Sequence, residues 1–253
     1  YAFKELKVKD NGKKEGMAKQ EFKLLKVIQQ ANHPILLQIK DLKCPPNFFA
    51  RMEYGFGTLS NFLNFCKRKR IMKYWEDDDI LMLYFQLWSQ LQVLKELKIF
   101  HSDIKPPNVI ISSEGFFVIS DFGVSLLLKK FGKQELSIQG TYDYYMPELK
   151  KARDEKKWSC EYDPMEQDLF ACTKIIRDII HLRDKSDTLE KLFERANIKD
   201  EKDFQELTTR NSLPIYNNKK AAYHIYLLDQ YYKGYSWKQK HEIIYDLIEY
   251  WHF

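Results

Sequence analysis

Apolar residues recur along the chain in two rhythms. Tyr1–Val8 alternates aromatic and aliphatic residues with polar ones, the period of a strand with one buried face. The polar Asp10–Gly16 stretch breaks that pattern and predicts a loop. From Ala18 to Gln30 the spacing changes. Phe22, Leu25 and Ile28 recur every three residues, which predicts a helix that stops at Asn32, His33 and Pro34. Ile35–Leu42 and Phe48–Tyr54 then read as short strands around a Cys44-Pro45-Pro46-Asn47 turn. Together these make a small sheet with one helix.

From Gly55 onward the helical rhythm dominates. Leu59–Phe65 and Ile80–Leu97 both show i, i+3, i+4 apolar spacing. Asp77-Asp78-Asp79 introduces the second, and carboxylates suit a helix start because its unpaired N–H groups leave partial positive charge there. Segments around His101, Asp121 and Gly140 carry Gly and Pro between apolar stretches and predict functional loops. There is no internal repeat.

Composition narrows the class. A chain of 253 residues, 44% hydrophobic, buries a substantial core as one large domain or two lobes. The net charge is +5, but the basic residues are spread along the chain, so no nucleic-acid partner is expected. Lys67-Arg68-Lys69-Arg70 reads as a solvated face or as a contact for an acidic partner. Cys44, Cys66, Cys160 and Cys172 have no CxxC or Cys/His metal spacing, and they predict reduced thiols in an intracellular, cytoplasmic protein. No apolar run reaches the ~20 residues that span a bilayer, and no signal-peptide layout opens the chain. The aromatic tail Tyr231–Phe253, with Trp237 and Trp251, reads as helical core.

The chemistry concentrates in His101-Ser102-Asp103-Ile104-Lys105-Pro106-Pro107-Asn108, then Val109-Ile110-Ile111, then Asp121-Phe122-Gly123. These residues at this spacing resemble the catalytic loop and metal-binding Asp-Phe-Gly of the eukaryotic protein kinase superfamily. Four fixed residues at fixed spacing have a chance expectation of order ~0.002 in a chain this long. The chemistry agrees, since phosphoryl transfer needs positioning and charge neutralisation more than covalent help.

The resemblance implies a role for each residue. Asp103 would orient the acceptor hydroxyl and take its proton, and Lys105 would neutralise the γ-phosphate. Asn108 and Asp121 would supply oxygen ligands to Mg2+. Tyr1-Ala2-Phe3-Lys4 resembles the strand whose lysine holds the ATP phosphates and pairs with a helix glutamate. Glu21 suits that partner by position, with Glu5 and Glu15 as less well-placed competitors, and His33 reads as structural. Arg51-Met52-Glu53-Tyr54-Gly55 resembles the hinge, with Met52 behind the adenine and backbone groups of Glu53 and Gly55 bonding it. Ala2 and Ile110 would sandwich the base. Gly140-Thr141-Tyr142-Asp143-Tyr144-Tyr145-Met146-Pro147-Glu148 resembles the end of the activation segment, and Thr141 with Lys105 points to the serine/threonine type. Asp168 would brace the catalytic loop.

The implied fold is an α+β, two-lobed kinase domain over residues 1–253. Residues 1–54 would form a partial small lobe with a sheet and one helix, and residues 55–253 a mainly helical lobe. The implied function is transfer of the γ-phosphate of ATP to a serine or threonine of a protein substrate. A pseudokinase acting as a scaffold or structural subunit with binding partners is the alternative, and a small-molecule kinase a third. Four departures bear on this choice. The Gly-rich loop would lie before Lys4, so the first two strands are expected to be missing from the chain. Ser102 replaces an arginine that reads activation-segment phosphates in many kinases. Lys150–Lys157 reads as an insertion, and no late arginine is evident to pair with Glu148.

Overall fold

The opening alternation forms strand β1 (Ala2–Leu6), after which the chain enters helix α1 (Gly12–Ala31). The computed structural model describes residues 2–6, 12–33, 35–43, 48–75, 77–112, 115–185 and 188–195. The expected turn at Cys44–Asn47, the aromatic tail and any late arginine lie outside them. The helix begins at Gly12, inside the stretch expected as a loop. Lys and Glu are good helix formers, and an interior glycine such as Gly16 costs only about 1 kcal/mol against alanine. One face of α1 buries Leu24, Leu25 and Ile28 against the sheet.

That sheet is completed by β2 (Ile39–Lys43) and β3 (Phe48–Met52), antiparallel in the order β1-β3-β2. The expected strand from Ile35 starts later, because a turn occupies 35–38. There the Leu36 N–H bonds the His33 carbonyl (3.0 Å), and the Gln38 amide bonds the carbonyls of His33 (2.9 Å) and Leu36 (2.7 Å). These local bonds compete with strand pairing.

β4 (Gly55–Thr58) leads into α2 (Leu59–Lys69), whose first turn is capped by Thr58 Oγ1 accepting from the Asn61 N–H (3.2 Å). Lys67–Arg70 is exposed at its end. α3 (Asp77–Glu96) follows, and Asp77 at its start pairs with Arg183 (2.7 Å) and Arg195 (2.5 Å). Beyond it come β5 (Ile99–Phe100), β6 (Val109–Ser112), β7 (Phe117–Ile119), β8 (Leu126–Leu127) and β9 (Gln134–Ser137). Then follow α4 (Pro147–Asp154), β10 (Ser159–Tyr162), α5 (Pro164–Arg183) and α6 (Leu189–Arg195). β4-β6-β7 form a second antiparallel sheet, and β5 with β8 and β9 with β10 form two ribbons. No helix among the described residues is long and apolar enough to cross a membrane.

The larger core lies where α3 packs on α5. Leu83, Leu87 and Leu91 meet Ile175, Ile176 and Ile179, all essentially inaccessible to solvent. Burying each such side chain is worth roughly 1.5–3 kcal/mol. α3 also does a strand's work. Gln86 Oε1 accepts from the Phe117 N–H (2.8 Å), Gln90 Oε1 accepts from the Ile119 N–H (2.8 Å), and Gln90 Nε2 donates to the Phe117 carbonyl (2.7 Å). Two helix side chains thus satisfy the outer edge of β7 just before Asp121.

α5 supplies the other tie. It opens with Asp163 accepting from the Met165 N–H (2.8 Å) and with Pro164 in its first turn. One turn later Asp168 is wholly buried. Its Oδ2 accepts from the His101 N–H (2.6 Å) and its Oδ1 from the Ser102 N–H (2.8 Å). Burial pushes this carboxyl up to about 7, with the two amide donors pulling the other way.

Two substitutions test these ties. Gln90→Leu strands the Ile119 N–H and the Phe117 carbonyl in the core, and should cost about 2–4 kcal/mol in urea unfolding; a loss below about 0.5 kcal/mol would refute the role given to Gln90. Asp168→Asn keeps the shape but turns one acceptor into a donor facing an amide. It should cost about 1–3 kcal/mol by the same measurement, and an unchanged midpoint would remove Asp168 as the anchor of the loop.

Candidate active site

Three parts of the chain converge on one site: β1 with α1, the loop from His101 to Asn108, and the segment from Asp121 to Pro147. Lys4 sits on β1, whose alternation turns it away from the exposed Phe3. Its Nζ donates to Glu21 Oε1 (2.6 Å) and to Asp121 Oδ1 (2.7 Å). Burial opposes the Lys4 charge, but Glu21 and Asp121 outweigh it and hold the ammonium above its usual range. Burial likewise works against the Asp121 carboxylate, yet the Lys4 hydrogen bond and charge keep it below the usual carboxylate range. Glu21 is buried on α1, whereas Glu5 is exposed.

The loop between β5 and β6 is built around His101, which is completely buried. Its Nε2 lies 2.9 Å from the Ser120 carbonyl, and its Nδ1 accepts from the Asp103 N–H (3.3 Å). Both ring nitrogens are therefore used by the neutral ring with its proton on Nε2, and burial holds the pKa below the usual value. Phe122 packs edge-on against this ring at 5.1 Å. Ser102 and Asp121 both take positive φ (66°), a backbone cost that the surrounding bonds sustain.

Asp103 is held from three sides. Oδ1 accepts from Thr141 Oγ1 (2.7 Å), while Oδ2 meets Lys105 Nζ (2.9 Å) and Asn108 Nδ2 (3.1 Å). Lys105 Nζ also donates to Thr141 Oγ1 (2.8 Å), so Thr141 bridges the lysine and the aspartate. Asn108 donates again to the Asp103 carbonyl (2.9 Å), which commits its nitrogen and leaves its side-chain oxygen as the group able to bind a cation. With the half-exposed Asp121 carboxylate, this makes a pair of hard oxygen donors. Such a set fits magnesium, which binds through one or two protein oxygens and fills its octahedron with phosphates and water.

The segment carrying Thr141 approaches the loop closely. Gly140 has φ 101°, and a Cβ there would lie 2.2 Å from the Ser102 carbonyl, so only glycine fits. Of the residues expected around the base, Ala2 pairs with Met52 across β1 and β3, and Ile110 faces Thr58 and Val118 within the second sheet. Gly55 pairs with Ser112, and a Cβ on it would stand 2.7 Å from the Ile111 carbonyl. The Glu53 N–H is taken by the Gln38 carbonyl (2.8 Å). The Glu53 side chain also turns away, accepting from the Gln38 N–H (2.9 Å). Glu148 is exposed and has no ion-pair partner among the described residues.

Several residues that complete the site carry no sequence signal. Gln20 donates to the Ser125 carbonyl (2.9 Å), and Ser125 Oγ donates to the His101 carbonyl (3.0 Å), linking α1 to the loop through the segment after Asp121. Gln167 donates to the Tyr144 carbonyl (2.9 Å) and accepts from the Met146 N–H (2.9 Å). Each is a single polar residue whose partner lies far away in sequence. Only the buried position of Gln167, one residue before Asp168, could have hinted at its part.

Comparison with known proteins agrees with this geometry. The family described as "Protein kinase domain" matches residues 1–232. The Schizosaccharomyces pombe serine/threonine-protein kinase chk1 is 34% identical over 90 residues, 33% of this chain and 18% of its own length. The Arabidopsis thaliana CBL-interacting serine/threonine-protein kinase 5 is 27% identical over 168 residues, 65% of this chain and 35% of its own length. The chain thus spans about a fifth to a third of these relatives. A chain of the yeast RNA Pol II CTD kinase CTDK-1 complex superimposes with a TM-score of 0.55 at 22% identity, covering 71% of this chain and 54% of that one, a likeness of fold alone. With a family match over nearly its whole length, the chain belongs to the protein kinase domain family.

Proposed function

We propose that this chain is a protein serine/threonine kinase that transfers the γ-phosphate of ATP to a protein hydroxyl with Mg2+. The observation that carries the reading is the Asp103–Thr141–Lys105 bridge. It leaves a carboxylate and an ammonium fixed side by side, the arrangement an acceptor hydroxyl and a migrating phosphoryl group require.

In this reading Asp103 receives the acceptor hydroxyl in hydrogen-bond range and takes its proton as the new P–O bond forms, while the bond from the γ-phosphorus to the β-phosphate oxygen breaks and ADP leaves. Thr141, Asn108 and Lys105 hold that carboxylate in one orientation. Lys105 faces the charge on the phosphoryl oxygens. Lys4, already held by Glu21, places a fixed ammonium for the α- and β-phosphates. Asn108 and Asp121 would hold the magnesium, which when bound neutralises the phosphate oxygens. The Glu53 carbonyl and the apolar Ala2 and Ile110 suit adenine, and Gly55 keeps the hinge narrow. That relatives such as the S. pombe and A. thaliana proteins are serine/threonine-protein kinases supports the serine/threonine type. We take residues 1–54 as the small lobe and 55–253 as the large one. The buried free thiols of Cys66 and Cys172 support a place inside the cell.

Transfer from labelled ATP to mixed protein substrates tests the reading. Asp103→Asn should lower the rate at least ~100-fold while nucleotide affinity stays within about threefold. Equal labelling by both proteins would overturn the assignment of Asp103. Lys4→Met removes the phosphate-facing charge, and should weaken ATP binding by about tenfold or more in titration calorimetry. ATP binding without transfer by the wild-type protein would instead favour a scaffold.

A further inference from the structure

Ser102 poses a question that the catalytic residues do not answer. It carries no charge, it is buried, and its Oγ has no hydrogen-bond partner among the described residues. It therefore offers nothing to a phosphate on the segment that bears Thr141. Yet that segment is tightly held.

Its support comes from β10, just beyond α4 and the Lys150–Lys157 run that reads from sequence as an insertion. β9 pairs with β10 in register, from Gln134 opposite Tyr162 to Ser137 opposite Ser159. The Ile138 N–H extends the ladder to the Trp158 carbonyl (2.9 Å), and the antiparallel alternation makes Leu136 and Cys160 the next directly bonded pair. Tyr162 is buried and donates its hydroxyl to the Ser137 carbonyl (3.3 Å). Tyr162 also sits in a small core of its own with Ile138, Tyr145, Met146, Leu149 and Ala152, separate from the core between α3 and α5. From this core Tyr145 donates to the Gly140 carbonyl (2.9 Å), one residue before Thr141. The tie therefore runs from β10 through Tyr162 and Tyr145 to Gly140, and from there to the Thr141 bridge over Asp103 and Lys105.

The geometry points to β10, anchored by Tyr162, as a built-in clamp that sets the segment from Gln134 to Met146, and through it Thr141, with no phosphate on that segment. This deepens the kinase reading and rests on it for its consequence in catalysis. Tyr162 is a positioning residue, since it reaches the acceptor site only through the ribbon and the small core. Backbone pairing and apolar burial do here what a phosphate held by an arginine would otherwise do, and neither depends on a modifying enzyme.

Hydrogen exchange on the full-length protein, with and without phosphatase treatment, reads the clamp directly. Wild-type amides of residues 134–138 should be equally protected in both preparations. Tyr162→Ala, and independently Cys160→Pro, which deletes one ribbon N–H, should lower that protection about tenfold or more, while Tyr162→Phe keeps it. In transfer assays the Ala and Pro variants should raise KM for the protein acceptor about tenfold and leave KM for ATP within about twofold, with Tyr162→Phe restoring the acceptor value. Loss of wild-type protection on phosphatase treatment would overturn the clamp. So would full protection in both the Ala and Pro variants, or a rise in KM for ATP as large as that for the acceptor. If no form of the protein labels any acceptor, the kinase reading fails, and the exchange pattern alone decides the clamp.

Discussion

The site depends on the buried Asp168 carboxylate and the two amides it receives. A carboxylate removed from water is costly unless donors replace its hydration, and the His101 and Ser102 N–H groups do so at 2.6 and 2.8 Å. In return they fix a turn that no local preference favours, with Ser102 at φ 66°. Everything downstream hangs from that turn. His101 can meet Ser120 and Asp103 only because its backbone is held, and the Gly140 segment can close on the Ser102 carbonyl only because that carbonyl does not move.

Charge is arranged on the same logic of mutual support. Lys4, Glu21 and Asp121 come from a strand, a helix and a loop, and each would be expensive to half-bury alone. Together they tie the small sheet and α1 to the segment after Asp121. In the loop after β5, Lys105 and Asp103 repeat the device with Thr141. Both clusters hold their charges in place through mutual hydrogen bonds, so neither has to reorganise in order to present them.

The places where structure departs from the sequence pattern share a cause. α1 starts at Gly12 because helix-forming Lys and Glu outweigh one interior glycine, while a scan for apolar spacing sees only its buried half. The strand expected from Ile35 yields its first residues to a turn stitched by Gln38. β10 is only four residues long and follows the Lys150–Lys157 run, so its alternation is too brief to mark it as a strand from sequence. Its identity comes from the partner, β9, that it meets.

What the sequence made legible by itself was the family, through the motif from His101 to Asn108 and the Asp121-Phe122-Gly123 beyond it. These residues are legible because they lie within one short stretch of chain, so their spacing can be read without knowing the fold. The tertiary structure alone decided the pairings that cross the chain: Lys4 with Asp121 across 117 residues, Gln90 against β7, and Gln167 on the backbone at Tyr144 and Met146. It also decided that β10 holds the segment bearing Thr141. Such contacts are chosen by packing and by the need to satisfy buried polar groups, and neither leaves a periodic trace in a linear sequence.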